Sequence, residues 1–426
     1  MNHKLSYKMK FSFLLTLLHL SILAYSQENS IRKVNFESIR KMNTTFLSNL
    51  INTKKDTKLD SITIQKDILI LNRLNGVSKA EFVVVKISDY LYDVNFKIIE
   101  NFTLIPTLNA GNTNKGGFYR IGLYEFNLFG RNISLGGFYQ FNEFNSFGFN
   151  FSAPTLFSKK TGIESNFQKI SSNEPLFIDN AKANYKYTNT GFEILGVYQY
   201  DHQNKFKIGF SIFKEDYNYL QGVTNPNVPQ KLEVTKNQIK LQYSFDNLKY
   251  DYYLLQGFRS NLNLQFVMSE NNFQDKFAIG WNDFLYFKNL KNKLNWASRL
   301  RLGLATNTKS PFAPFSVDNN LNIRGVGNII DRGTGTIVLN TELRQTLFEK
   351  KWFVLQGNTF IDAGSWRNPG GTLNDFTDSK NFRVYPGLGL RFIHKTIFNA
   401  VFRLDYGYGI SKNASKGFVF GIGQYF

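Results

Sequence analysis

Gly417-Phe418-Val419-Phe420-Gly421-Ile422-Gly423-Gln424-Tyr425-Phe426 alternates with a period of two. Phe418, Phe420, Ile422 and Phe426 fall on one face and Val419, Gly421, Gly423 and Tyr425 on the other. Such a segment is long enough for a membrane strand, which needs roughly 9–11 residues, apolar outward, small or polar inward, with aromatic side chains at the interface. A soluble strand can alternate in the same way, so the rest of the chain has to decide.

The other end of the sequence reads as an export signal. Lys4, Lys8 and Lys10 precede the apolar run Phe11 to Ala24, and Ala24-Tyr25-Ser26 is a small-x-small pattern that puts cleavage after Ser26. Ser12, Thr16, His19 and Ser21 interrupt that run, which makes it a poor membrane span. The reading is a signal peptide over residues 1–26. The chain has no cysteine, which excludes a lipid-anchored cysteine and a disulfide framework.

Beyond the signal there is no long uncharged apolar stretch, yet aromatic residues make up 16% of the chain while its mean hydropathy is only −0.29. Barrel strands, which combine an apolar outer face with a polar lumen, give this composition, and helical spans do not. The formal net charge is +19. In an exported, aromatic-rich chain this excess fits anionic lipid head groups or a basic lumen better than nucleic acid.

Residues 30 to 100 are patterned differently from the remainder of the chain. Val34 and Phe36 alternate; Phe46, Leu47, Leu50 and Ile51 recur at helical spacing; Ile64, Ile68 and Leu71 do so again, behind a capping Asp60 and ahead of Asn75-Gly76. Two further strands, Ala80 to Lys86 and Leu91 to Glu100, complete the order strand, helix, helix, strand, strand. This order ahead of a barrel resembles one POTRA repeat, a periplasmic module of barrel-assembly and secretion proteins; an unrelated small α+β domain is the alternative.

From Phe102 the period is two throughout. Phe206, Ile208, Phe210 and Ile212 alternate with Lys205, Lys207, Gly209 and Ser211; Leu262, Leu264 and Phe266 alternate with Asn261, Asn263 and Gln265. The polar sets are too hydrophilic for a dry core and imply a wet lumen. At about twenty residues per strand and turn, residues 102–426 give on the order of sixteen antiparallel strands. The expected fold is therefore an all-β transmembrane barrel over 102–426 behind a small α+β domain over 27–101.

One connection, from about Thr306 to Thr336, is too long for an ordinary turn and carries Leu321-Asn322-Ile323-Arg324-Gly325-Val326-Gly327. After it come Asn340-Thr341-Glu342-Leu343-Arg344, Phe360-Ile361-Asp362-Ala363-Gly364, Gly387-Leu388-Gly389-Leu390-Arg391 and Arg403-Leu404-Asp405-Tyr406-Gly407. This ordered set resembles the BamA-type barrel superfamily, the bacterial surface antigen proteins. Asn127-Leu128-Phe129-Gly130 and Ser152-Ala153-Pro154 are similar to that family's early-strand motifs.

The resemblance implies that the long loop folds back into the lumen, with Arg324 paired to Asp362 and with Glu342 as a second acid nearby. The chemistry is coherent by itself, because an arginine between low-dielectric walls needs a carboxylate partner and Gly325 lets the backbone approach the wall. Val326 stands where the family has an aromatic residue, and Asp318-Asn319-Asn320 replaces a glycine pair. The resemblance further implies an unfolded or extended polypeptide as client, outer-membrane lipid or lipopolysaccharide as surroundings and a possible periplasmic accessory protein. It implies a barrel seam where the first and last strands meet, at Pro106, which lacks a ladder donor, and at Gly421, Gly423 and Phe426. No cofactor, nucleic acid or enzymatic activity is expected: Gly325-x-Gly327 and Gly333-x-Gly335 do not open a helix, and His202 and His394 are the only histidines after the signal. The competing expectation is a passive channel or a structural barrel whose small domain docks a partner.

Overall fold

The computed structural model describes residues 28–426 apart from 114–115, 179–180, 225, 227, 252, 270–275, 311–312, 318–321, 327–330, 399 and 411–413. The signal segment 1–26, the Asp318-Asn319-Asn320 stretch and Gly327 lie outside the described residues.

The chain first forms an α+β unit of β1 (Ser30–Glu37), α1 (Thr44–Leu50), α2 (Ser61–Leu71), β2 (Val77–Ser88) and β3 (Leu91–Glu100). Its sheet runs β1-β3-β2, with β1 parallel and β2 antiparallel to the central strand. Asn43 caps α1 and Asp60 caps α2, each side chain accepting from backbone N–H groups of the first turn. Leu47, Ile51, Ile64 and Leu71 from the helices close over Val94, Phe96 and Ile98 of β3, a core of the unit's own. Buried Asp67 accepts from the Asn52 and Thr53 amides and the Thr53 hydroxyl, which fixes the segment between the helices.

Helix α2 stops earlier than the Asn75-Gly76 signal suggests. Asn72 ends it, and its side chain accepts from the Ala80 amide, so a bond to β2 takes the place of a glycine cap. Gly76 is needed for another reason: a Cβ there would lie 2.5 Å from the Asn127 side-chain nitrogen, on the barrel.

The barrel strands are β4 (Leu104–Thr113), β5 (Gly116–Leu128), β6 (Ile133–Phe141), β7 (Asn145–Ala153), β8 (Thr161–Ile178), β9 (Ala181–Gln199), β10 (Asn204–Gly222) and β11 (Lys231–Asp246). After the three-residue β12 (Lys249–Asp251) come β13 (Leu254–Met268), β14 (Phe277–Asn289) and β15 (Leu294–Ala305). A hairpin of β16 (Phe315–Val317) and β17 (Asp331–Gly333) lies in the long connection. The wall resumes with β18 (Gly335–Glu349), β19 (Phe353–Arg367), β20 (Phe382–His394), β21 (Val401–Tyr408) and β22 (Lys416–Ile422). Leaving β12 aside as an accessory beside β13, sixteen strands close a single antiparallel barrel, with β22 next to β4.

The two faces of each strand separate as the alternation requires. Phe206, Ile208, Phe210 and Ile212 are exposed on the outside, as are Leu264, Phe266, Leu302 and Leu304. Inward charges neutralise one another along the wall: Lys236 meets Glu215 on the adjoining strand, while Lys207 meets Glu164 and Lys240 meets Glu193, each across one intervening strand. No helix among the described residues is long and apolar enough to cross a membrane; the strands do so.

Both ends of the barrel differ from the sequence expectation. The first strand starts at Leu104 rather than Phe102, whose amide instead donates to the Thr396 carbonyl in the turn between β20 and β21. The last strand ends at Ile422. Gly423 turns the chain at φ +97°, and Gly423 is thus a turn residue beyond the strand. Phe426 does not lie on the outer face with Phe418; it packs inside with Leu285 and Phe287. The physical reason is the company available indoors: aromatic rings at a wet rim gain more from buried aromatic and guanidinium neighbours than from the interface.

The α+β unit sits against the turns at one end of the barrel. Arg73 donates to the Asp246 carbonyl, the Asn75 amide to Asn132, Ser78 to the Lys395 carbonyl and Lys159 to Asn52. Gly130, at φ +69°, accepts from the Asn43 amide, and a Cβ there would come within 2.1 Å of the Lys41 carbonyl. Strand alternation places the connection between β15 and β18 at the opposite end.

Candidate functional site

Register brings the motifs together on the inner wall. Arg299, Asn340, Asp362 and Tyr385 form one row across β15, β18, β19 and β20. Ala297, Glu342, Phe360, Gly387, Gly407 and Gly417 form the next, continuing to β22. Asn295, Arg344, Asn358, Gly389, Asp405 and Val419 form the third. Charged and small residues thus share the lumenal phase of six neighbouring strands.

The long connection folds back onto these rows. Arg324 is fully buried and makes a two-pronged contact with Asp362, Nε to Oδ2 at 2.8 Å and Nη2 to Oδ1 at 2.9 Å. Its backbone amide donates to the same carboxylate at 2.9 Å. Nη1 donates to Glu342 Oε2 at 2.8 Å and lies 3.5 Å from Asp405. The guanidinium carbon is 3.5 Å from the centre of the Phe360 ring and 4.3 Å from that of Tyr425, a cation–π setting in a desolvated place.

Glu342 also accepts from Arg391 at 2.7 and 2.8 Å and from Arg344 at 2.5 Å, while Asp405 accepts from Arg403 at 3.0 Å and Asn358 at 3.1 Å. Each carboxylate is therefore held by several donors, the condition under which buried charges are tolerated.

The glycines explain how the loop tip fits. Gly325 adopts φ +93° and lies on Gly407, so close that a Cβ on Gly407 would stand 2.2 Å from the Arg324 carbonyl. Val326 is buried with Val317, Ile323, Trp366 and Tyr385, an apolar pocket that the smaller side chain shares with its neighbours. Further along the loop, Arg332 reaches the far wall, donating to Glu174 of β8 at 2.8 Å. Between that contact and the wall of β8 to β14 lies a polar cavity of about 470 Å³, lined in part by Asn166, Gln168, Glu193 and Lys240.

Arg324, Gly325, Asp362 and Glu342 thus lie together in the lumen. The residues expected at the seam lie elsewhere in part: Pro106 is in β4 opposite Leu123, Gly421 is in β22 where its missing side chain makes room for Arg403, and Gly423 and Phe426 belong to the inward-turning segment. Asp405, Arg391, Arg403, Phe360 and Tyr425 received no role from the sequence. For the three charged residues the signal was phase, since each falls on an inward position of an otherwise apolar strand. Arg332 had no such signal, being in the short hairpin of the long connection rather than in a wall strand. Among the described residues no group of His, Cys, Asp or Glu could hold a metal ion.

A closed antiparallel barrel with an inward loop locked to its wall defines a class of outer-membrane barrel. The chain belongs to the Omp85 superfamily: residues 127–426 match the Omp85 superfamily domain. No curated protein matches it in sequence. Among solved structures it is similar to CdiB from Escherichia coli, with 12% identity over 93% of this chain and 76% of that one at a TM-score of 0.60. It is also similar to BamA from Haemophilus ducreyi lacking POTRA domains 1–3, with 17% identity over 93% of this chain and 84% of that one at a TM-score of 0.54. CdiB from Acinetobacter baumannii gives 14% identity, 93% and 74% coverage and a TM-score of 0.58. At these identities the likeness is one of fold.

Proposed function

We propose that this outer-membrane barrel inserts or translocates polypeptide, without cofactor or covalent chemistry. Its α+β unit, read as a single POTRA-like periplasmic domain, receives an extended client at a sheet edge, and the client passes to the seam between β22 and β4. The observation that carries this reading is the weakness of that boundary: β22 has seven residues and β21 eight, whereas β9 and β10 have nineteen each. Few ladder bonds hold the last strand, and Pro106 removes a donor from the first.

The α+β unit offers a suitable edge. β2 borders its sheet with Val83, Val85 and Ile87 exposed, alternate positions of the kind an added strand reads. The likeness to solved barrels over 93% of the chain extends beyond what residues 102–426 could supply and so supports including this unit in the family architecture.

A cysteine pair placed across the seam, one in β4 and one in β22, is expected to abolish client insertion or secretion when oxidised and to restore it on reduction. The same pair between β13 and β14 should have no effect. Unchanged activity with a fully formed seam disulfide would exclude lateral passage. The polar cavity favours a second reading, a passive channel, which a steady conductance of the pure protein in bilayers would support.

Deleting residues 28–101 behind an intact signal is expected to leave a folded, heat-modifiable barrel that has lost activity, because the unit's core contains none of the barrel's residues. Failure of the truncated barrel to fold would show that the two are one cooperative body.

A further inference from the structure

The segment after β22 does not end at the wall; it runs to the locked loop. Gly423 donates its amide to the Val401 carbonyl and turns inward, Arg391 donates to Gln424 at 2.5 Å, and Arg403 Nε donates to the Gly423 carbonyl at 3.2 Å. Tyr425 then lies buried, its ring centre 4.3 Å from the guanidinium carbon of Arg324 and 4.9 Å from that of Arg403. At the other end of the β21–β22 hairpin, the Ser415 hydroxyl reaches the Gly325 carbonyl at 3.1 Å and the Val326 carbonyl at 2.5 Å. Gly407, the last residue but one of β21, carries the Gly325 backbone.

The loop tip therefore touches the last hairpin at the end of its first strand, at its turn and beyond its second strand, and this hairpin supplies the strand that meets β4. We infer that Tyr425 is a positioning residue that ties the Arg324 loop to β22, so that releasing the loop and loosening the seam strand are one event. The inference rests on the seam reading for its consequence, since a client entering at β22 would meet a strand whose freedom the lumenal loop sets. The tie is carried by the ring: among the described residues the Tyr425 hydroxyl has no hydrogen-bond partner, whereas its ring lies in van der Waals reach of a buried cation. Displacing the ring should free residues 423–426 and, with them, the end of β22.

Amide hydrogen exchange of the full-length protein in lipid nanodiscs tests this without any activity measurement. Tyr425→Leu and Arg324→Ala are each expected to speed exchange of residues 416–422 by at least about tenfold, while β13 keeps its wild-type rates. The double variant should exchange no faster than the faster single one, because both changes break the same tie. Tyr425→Phe should match the wild type. Ser415→Ala, which leaves the end of the chain intact, should give a smaller acceleration in the same residues and covers the case in which Tyr425→Leu does not fold.

The inference is overturned if Arg324→Ala accelerates β18 and β19 alone, if the two substitutions multiply as independent changes, or if Tyr425→Phe behaves like Tyr425→Leu. A seam disulfide without effect on activity would remove the functional reading and leave these rates as they are.

Discussion

Arg324→Ala is expected to give an exported, assembled barrel that loses its heat-resistant form in detergent at a distinctly lower temperature. The loss should be about 3–5 kcal/mol, the scale on which removal of one partner strands a buried charge. Asp362 bears most of it. Glu342 keeps Arg391 and Arg344, and Asp405 keeps Arg403, but among the described residues Arg324 is the one cation in ion-pair range of Asp362. Adding Asp362→Asn to Arg324→Ala should therefore recover part of the loss, giving a coupling that a double-mutant cycle reads directly. An unshifted transition in Arg324→Ala would mean that the lock contributes nothing to holding the barrel.

Gly407→Ala should be costly for a single methyl group. A Cβ at that position stands 2.2 Å from the Arg324 carbonyl and 2.7 Å from its carbon, both backbone atoms that cannot swing aside, so the loop tip must lift from the wall. We expect a loss of about 3 kcal/mol, the upper end of ordinary overpacking, together with the Arg324 contacts that depend on the tip's position. Gly417 lies in the same row one strand away with open space around its Cβ position, and Gly417→Ala should stay within about 0.5 kcal/mol of the wild type. Equal melting of the two variants would show that the close approach of loop and strand is not what requires glycine at 407.

The barrel was legible because a strand's period of two leaves the same mark at every level, from Phe206-x-Ile208-x-Phe210-x-Ile212 in the sequence to the exposed outer face of β10. The place of Arg324 beside Asp362 and Glu342 was legible through motif resemblance and the need of a buried cation for carboxylates. What escaped notice depends on register. Asp405 and Arg391 are far apart in sequence from Arg324, and only the pairing of β18 through β21 brings their rows under the loop. The inward course of Gly423 to Phe426 escaped for a different reason. A period-two pattern continues through those residues, and nothing local marks Ile422 as the last residue of the ladder, because the attraction comes from arginines contributed by β15, β18, β20 and β21. The end of α2 was similarly set by a tertiary bond from Asn72 rather than by the glycine nearby.

The partners of Arg324 all come after it in the chain: Glu342 on β18, Asp362 on β19 and Asp405 on β21. Arg324 thus emerges before any of the carboxylates that will hold it. Its docking has to wait until the C-terminal third of the barrel is in register, and an arginine kept in water until then avoids a premature desolvation cost. The loop's burial consequently serves as a record of completed assembly. A barrel with a misregistered C-terminal hairpin would keep the loop outside, open to proteolysis, and cleavage within residues 306–334 would distinguish unfinished molecules from finished ones.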